Sequence, residues 1–171
     1  MADPIGTQNL SIFQGIVSFM QDGEATFRDL GEVPEFTLQP NVEKKEYQSS
    51  RSGMRGKVRE VVTTVGGTIS LQMDEMTRDN LALFFFGTLD ADRIKVLSVT
   101  EKVGMIKIVG TGQVGKRLSY TGRVSLSPSD SIAFLTGGEW ASAKLSGELL
   151  QDTSYDPAYP WGAVEVVDES A

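Results

Sequence analysis

The segment MIKIVGTGQVGK sets Gly110, Gly112 and Gly115 at the spacing of a dinucleotide-binding turn. Lys116 stands where a phosphate-gripping lysine would be, and Asp130 lies near the distance of a ribose-binding acid. Such a loop grips phosphate through the amides that open a helix directly after it. Here the chain continues as KRLSYTGRVSLSP, an alternation of Tyr, Thr and Val with Gly122 in its middle and Pro128 at its end, which reads as a strand. Arg117 occupies the place of the Ser or Thr that would reach magnesium, and no second βαβ unit fits in the remaining residues. The loop is therefore expected to be a hairpin turn, with Lys116 and Arg117 as exposed tip charges. Two carboxylate pairs, Asp74 with Glu75 and Asp90 with Asp92, are the other groupings suited to acid–base or calcium chemistry. The first precedes a helix start and the second sits in a turn, where acids serve the local backbone, and neither has the spacing of a calcium loop. The chain has no His and no Cys, which excludes Cys/His zinc sites, disulfides, thiol nucleophiles and imidazole bases. No catalytic residue, cofactor site or metal site is expected, and the chain does not read as an enzyme.

The elements around these residues follow mostly period two. Phe36, Leu38, Pro40 and Val42 alternate with Thr37, Gln39, Asn41, Glu43 and Lys45, so one face of this strand is apolar and the other wet. A second strand puts Val61, Val65, Ile69, Leu71 and Met73 on one face and Glu60, Thr64, Thr68, Ser70 and Gln72 on the other. Gly66-Gly67 marks a bulge or bend within it. The glycine-containing loop from Ser49 to Gly56 joins the two into a long antiparallel hairpin, and SIFQGIVSFM, Ser11 to Met20, fits a further strand beside them. One helix is signposted by Thr77 as N-cap, Asp79 in the first turn, a staple of Met76 with Leu81, and Gly87 as C′ residue. Its buried stripe is expected to be Leu81, Phe84 and Phe85, extended by Thr88. Strands are then expected at Ile94 to Val99, Val103 to Val109, Leu118 to Leu126, Ser131 to Leu135, Trp140 to Leu150 and Ala163 to Val167. Short strands, one helix and no βαβ alternation give a mainly β fold, an antiparallel sandwich or barrel with one short helix and a long hairpin. Residues 1–10 read as an N-terminal arm, 11–150 as the β domain and 151–171 as an acidic C-terminal arm.

A chain of 171 residues with 40% apolar content has enough material for one real core. No apolar run reaches the length of a membrane span, and MADPIGTQNL has neither a basic n-region nor an apolar h-region, so residence in a cytoplasm is expected. The net charge of −7 argues against a surface that grips nucleic acid, because affinity for the duplex comes mainly from neutralising phosphates. It does not argue against a surface that DNA slides past. Glu43 to Glu60 holds six Lys or Arg against three Glu, whereas Glu148 to Ala171 holds six acids and no base. In an isolated domain this reads as a solvated loop and a frayed acidic tail; in a self-stacking protein the same asymmetry would be a matched head and tail.

From Phe27 to Gly87 the ordered set LGEVPEFTLQPNVEKKEYQSS, SRSGMRGK, VVTTVGGTISLQMDE and TRDNLALFFFG resembles the phage tail tube proteins of long-tailed, non-contractile phages. That resemblance implies a structural subunit forming homo-hexameric rings that stack into a hollow cylinder, with hairpins as the inner wall and the long loop touching the next ring. It also implies tail tip and tail terminator proteins as partners, a tape measure protein in the lumen, and phage DNA passing without sequence-specific binding. The location implied is the virion tail, assembled in the bacterial host cytoplasm without membrane insertion. On this reading Thr37, Gln39, Asn41, Glu43, Thr64, Thr68, Ser70 and Gln72 line the lumen. Arg51, Arg55 and Lys57 bridge to the adjacent ring, whose Asp152, Asp156, Asp168 or Glu169 would receive them. Contractile-tail and secretion-type tubes share the architecture. A different class, a glycan-binding β-sandwich, would stack sugars on Trp140, Trp161, Tyr155 and Tyr159, although Trp140 at a strand start is expected in the core.

Overall fold

Alternating apolar residues give each long strand one face to bury, and the strands solve this by curling one sheet around a shared interior. The computed structural model describes residues 10–48, 57–112 and 114–167. Its strands are β1 (Gly15–Gln21), β2 (Arg28–Asp29), β3 (Glu35–Gln48), β4 (Lys57–Met73), β5 (Thr88–Asp90), β6 (Arg93–Lys95), β7 (Lys102–Gly110), β8 (Arg117–Pro128), β9 (Ala143–Leu150) and β10 (Ala163–Val167), with the helix α1 (Arg78–Phe84) between β4 and β5. The order in the main sheet is β2-β1-β7-β8-β9-β4-β3, β10 also pairs with β8, and β5 with β6 forms a separate ribbon. Every pairing is antiparallel. Val17 and Phe19 of β1, Ile106 of β7, Val124 and Leu126 of β8, Leu145 of β9 and Ile69, Leu71 and Met73 of β4 meet in a single buried cluster. Both halves of the sheet thus face one core, while its two ends, β2 and β3, are not paired with each other among the described residues. The result is an open antiparallel sandwich, not a closed barrel.

Several elements lie elsewhere than their local pattern suggests. β1 begins at Gly15, not Ser11, and pairs with β2 and β7, with three strands between it and β4. Sequence patterning reports which face is apolar, not which strand is adjacent. The run Ser131 to Leu135 is loop, and β9 starts only at Ala143, so Trp140 stands in solvent at 98% exposure rather than in the core. A short apolar run has no strand character of its own without a neighbour to pair with. Ile94 to Val99 shrinks to β6, which closes a tight ribbon on β5. Ala163 to Val167 is a strand with the expected bounds.

Thr77 caps α1 by accepting a hydrogen bond from the Asn80 N–H at 3.2 Å, with Asp79 in the first turn. The helix ends differently from expectation. Phe86, not Gly87, takes the left-handed conformation at φ 50°, and the Gly87 N–H closes the turn on the Ala82 carbonyl at 2.8 Å. Glycine is needed at 87 for closeness instead, since a Cβ there would lie 2.5 Å from Ile94 Cγ2 and 2.9 Å from the Lys95 carbonyl. The buried residues are Asn80, Ala82, Leu83 and Phe84; Leu81 and Phe85 are half-buried and Thr88 is exposed. The stripe is rotated toward Asn80 because that amide is itself bonded inward, donating to the Leu30 and Glu75 carbonyls, both at 2.8 Å, while accepting from Arg28 at 2.6 Å. Nearby, the buried Lys102 ammonium donates to the Gly87 carbonyl at 2.9 Å. Burial lowers its pKa, Glu24 opposes that shift and Arg28 adds to it.

Candidate assembly surface

β3 and β4 are the longest strands, 14 and 17 residues, and they outrun the core. Near their core end Phe36 and Leu38 pack on the cluster opposite Leu71 and Ile69. Further out Val42 pairs with Val65, and these side chains remain 49% and 47% exposed. The alternation of the sequence therefore continues past the point where anything in the subunit covers it. Pro40, Val42, Val61 and Val65, expected on a core face, are half-buried at most or open.

A bulge divides the hairpin. Glu43 pairs with Thr64 but Lys44 pairs with Val62, leaving Thr63 as the extra residue, its hydroxyl donating to the Glu43 carbonyl at 3.3 Å. One inserted residue reverses the facing of everything beyond it. Val61 accordingly pairs with Lys45 on the polar side, and Glu60 moves to the opposite face, where it holds Lys44 at 2.7 Å. Gly66 and Gly67, by contrast, pair regularly with Asn41 and Pro40. Gly67 makes room for a neighbour, as a Cβ there would come within 2.7 Å of Leu149 Cδ1. Hydrogen bonds from Lys44 first and Lys57 second pull the Glu60 carboxyl down to about 2.

The eight residues proposed for a lumen do share one face. Thr37 opposes Ser70, Gln39 opposes Thr68 and Glu43 opposes Thr64, while Gln72 faces Glu35; Asn41 opposes Gly66 in the same register. The face is wider than the hairpin. Thr68 and Ser70 continue across β9 to Glu148 and Ser146, and those continue across β8 to Ser125 and Ser127. Two rungs, Thr37-Ser70-Ser146-Ser127 and Gln39-Thr68-Glu148-Ser125, run across four strands. Sequence reasoning missed the β8 and β9 members. Their alternation is as regular as that of β3, but no local signal says which strands they neighbour.

Of the residues assigned to ring bridging, Arg51 and Arg55 lie outside the described residues, as do Asp168 and Glu169. Lys57 bonds within its own hairpin, to Glu46 at 2.6 Å and to Glu60. Asp152 accepts from Arg123 at 3.2 Å, and Arg123 also reaches Asp22, clasping the segment 151–162 to the sheet. The Ser154 hydroxyl and amide, then Arg123 and the Tyr155 amide, hold the Asp152 carboxyl at about 2 against an opposing effect of burial.

The glycine-rich loop joins β7 to β8 as a hairpin turn, with no helix after it. Both basic residues are half-buried rather than exposed at a tip: the Lys116 backbone N–H donates to Ser11 Oγ at 2.8 Å, and Arg117 Nε donates to the Gly112 carbonyl at 2.9 Å. Asp74 accepts from Gln72 at 2.8 Å, Glu75 from the Glu32 N–H at 3.3 Å, Asp92 from Arg78 at 3.1 Å, and Asp90 lies 3.8 Å from Lys95. Among the described residues no three His, Cys, Asp or Glu are placed to hold a metal ion, and no helix is long and apolar enough to cross a membrane. The four aromatic residues considered for sugar stacking do not converge. Tyr155 and Tyr159 border a cavity of about 460 Å³ on the outer face of β7 and β8, and neither tryptophan lines it.

An antiparallel, open β-sandwich with one capped helix and a hairpin reaching beyond its own core is the class that this fold defines. The chain belongs to the family described as "Protein of unknown function UCP028589", whose pattern matches residues 10–112. That stretch includes the whole hairpin and α1. None of the curated protein sequences matches. Among solved structures the chain is similar to the tail of an empty GTA particle with C6 symmetry, at 14% identity and a TM-score of 0.49, covering 96% of this chain and 99% of that one. It is also similar to the six-fold symmetrised baseplate of the anti-feeding prophage, at 11% identity and a TM-score of 0.45, covering 100% of both chains. Likenesses of this degree carry no function across to this chain.

Proposed function

We propose that this chain is a structural subunit of a phage tail tube, assembling as hexameric rings that stack into a hollow cylinder. In that tube the polar rungs of β3, β4, β9 and β8 line the lumen, which holds the tape measure protein and then passes DNA. Tail tip and terminator proteins cap the two ends, the virion tail is the final location and the host cytoplasm the place of assembly. The protein has no catalytic role. The observation that carries this reading is the β3–β4 hairpin, which among the described residues presents an uncovered apolar face, an unpaired sheet edge and a polar opposite face. A free edge beside an apolar face is a liability in a monomer and a joint in an assembly. The resemblance of residues 27–87 to tail tube proteins supports the same reading. A lumen wall whose only ionised group among the eight hairpin positions is Glu43 lets a polyanion slide without sticking.

Purified protein should form rings or tubes of six-fold symmetry, seen by sizing and negative-stain imaging. A monomer at every concentration and salt would end the reading. Gln39→Lys with Gln72→Lys should leave tubes intact yet slow DNA release.

A further inference from the structure

The segment between β9 and β10 closes on itself. The Asp152 N–H donates to the Pro160 carbonyl at 2.7 Å, which joins the ends of a compact loop, and the Tyr159 N–H donates to the Asp156 carbonyl at 3.1 Å within it. The loop is tied to the sheet at both ends, by the Arg123–Asp152 pair and by the Tyr120 hydroxyl, which donates to the Trp161 carbonyl at 3.0 Å. This loop and the outer face of β7, β8 and β10 together line the cavity of about 460 Å³, within the roughly 300–1,000 Å³ of small-ligand sites. Lys107, Thr121 and Ala163 share one rung of its floor, and Glu165 stands beside Ser119 on the next rung with the same facing. Tyr155, Asp156 and Tyr159 enter from the loop, the two rings 59% and 56% exposed.

The charges on this lining are not all compensated. Arg123 is neutralised twice, by Asp152 and by Asp22. The Lys107 ammonium lies over the Phe27 ring, 5.7 Å from its centroid, and Phe27 precedes β2, on the opposite side of the β7–β8 pair from β10. Asp156 and Glu165 have no ion pair among the described residues, and Asp156 accepts from the Ala158 N–H at 3.0 Å. We propose that this cavity binds an organic cation, a guanidinium or primary ammonium group on an apolar stem. Asp156 and Glu165 balance its charge through charge-assisted hydrogen bonds, while Tyr155 and Tyr159 cover the stem and attract the cation with their ring faces. An anion would meet two uncompensated carboxylates. Because the loop is already closed and anchored, little ordering has to accompany binding. Two sources carry this chemistry: a free polyamine, and a basic side chain of a second copy, where Lys45 and Arg59 of the hairpin have no ion pair among the described residues. The cavity lies within one subunit, so the inference does not rest on the tube reading.

Calorimetric titration of the purified chain with spermidine and with N-acetyl-arginine amide tests it. Each probe should bind with a Kd below about 1 mM at low salt. Asp156→Asn keeps an acceptor for the Ala158 N–H and removes only the charge, and Glu165→Gln does the same on β10. Either variant should raise both Kd values at least about tenfold with an unchanged melting transition. The uncharged isostere N-acetyl-citrulline amide should bind at least about tenfold more weakly than the arginine probe. Asp90→Asn, an exposed acid outside the cavity, should leave both Kd values as they are, which separates the site from general attraction to an acidic protein. Spermidine that binds without altering self-association identifies the free cation as the ligand. Spermidine that suppresses self-association, with the same loss in Asp156→Asn, identifies the side chain of a second copy. A Kd above that limit for both probes, equal affinity in Asp156→Asn and Glu165→Gln, or equal affinity for the citrulline probe would overturn the proposal.

Discussion

Phe84 and Phe85 are neighbours with edge-to-face rings 5.2 Å apart, yet only one of them belongs to the buried cluster. Phe84→Ala should cost about 3–5 kcal/mol in a denaturant titration, the usual loss for a large buried aromatic. Phe85→Ala should cost distinctly less, because Phe85 is half-buried and its other partner is the exposed Phe134. Equal losses would mean that the helix sits deeper than described. Asp152 offers a second residue-scale check. Its folded pKa of about 2 lies below the ordinary 3.8, so it contributes stability that is present above pH 4 and lost as pH falls toward 2. Asp152→Asn should lower the thermal midpoint at pH 7 and converge on wild type near pH 2. A constant gap between the two across that window would show that Asp152 does not titrate as described.

Capping and strand pairing differ in how far they can be read from local residues. Thr77 acts within four residues of itself, and its role is legible from the sequence together with that of Asp79. Thr77→Ala should cost about 1 kcal/mol in the same titration, the typical loss of an N-cap. A change under a few tenths would mean that water replaces the cap freely. Strands β7, β8 and β10, the long hairpin and the turn after Gly110 were equally legible, since period two and glycine punctuation are local signals. The left-handed Phe86, the bulge at Thr63 and the position of β1 beside β7 were not. Each depends on a neighbour distant in sequence: Ile94 crowding Gly87, the register of β3 against β4, and the order of strands in the sheet. The polar face shows the same limit, with its β3 and β4 members visible in the sequence and its β8 and β9 members supplied only by pairing.

At the scale of the whole molecule, the question is what an uncovered hairpin contributes to a subunit that already has a core. Ile69, Leu71 and Met73 fix the inner end of β4, and the described side chains of its outer end add no buried residue to that cluster. Val42 and Val65, directly opposed and about half exposed, are apolar without serving the monomer. Replacing both with Lys should therefore change the stability of the isolated subunit by no more than about 0.5 kcal/mol per site, the usual range for surface positions. In an assembly that buries this face, the same two charges would have to be desolvated without partners, which costs several kcal/mol each. Val42→Lys with Val65→Lys should thus give folded subunits with an unchanged melting transition that form no rings or tubes in negative stain. Thr37→Ser with Ser70→Thr on the opposite face should assemble normally. If the lysine pair assembled as well as wild type, the apolar face of the hairpin would be free in the particle, and the joint between subunits would have to lie elsewhere on the chain.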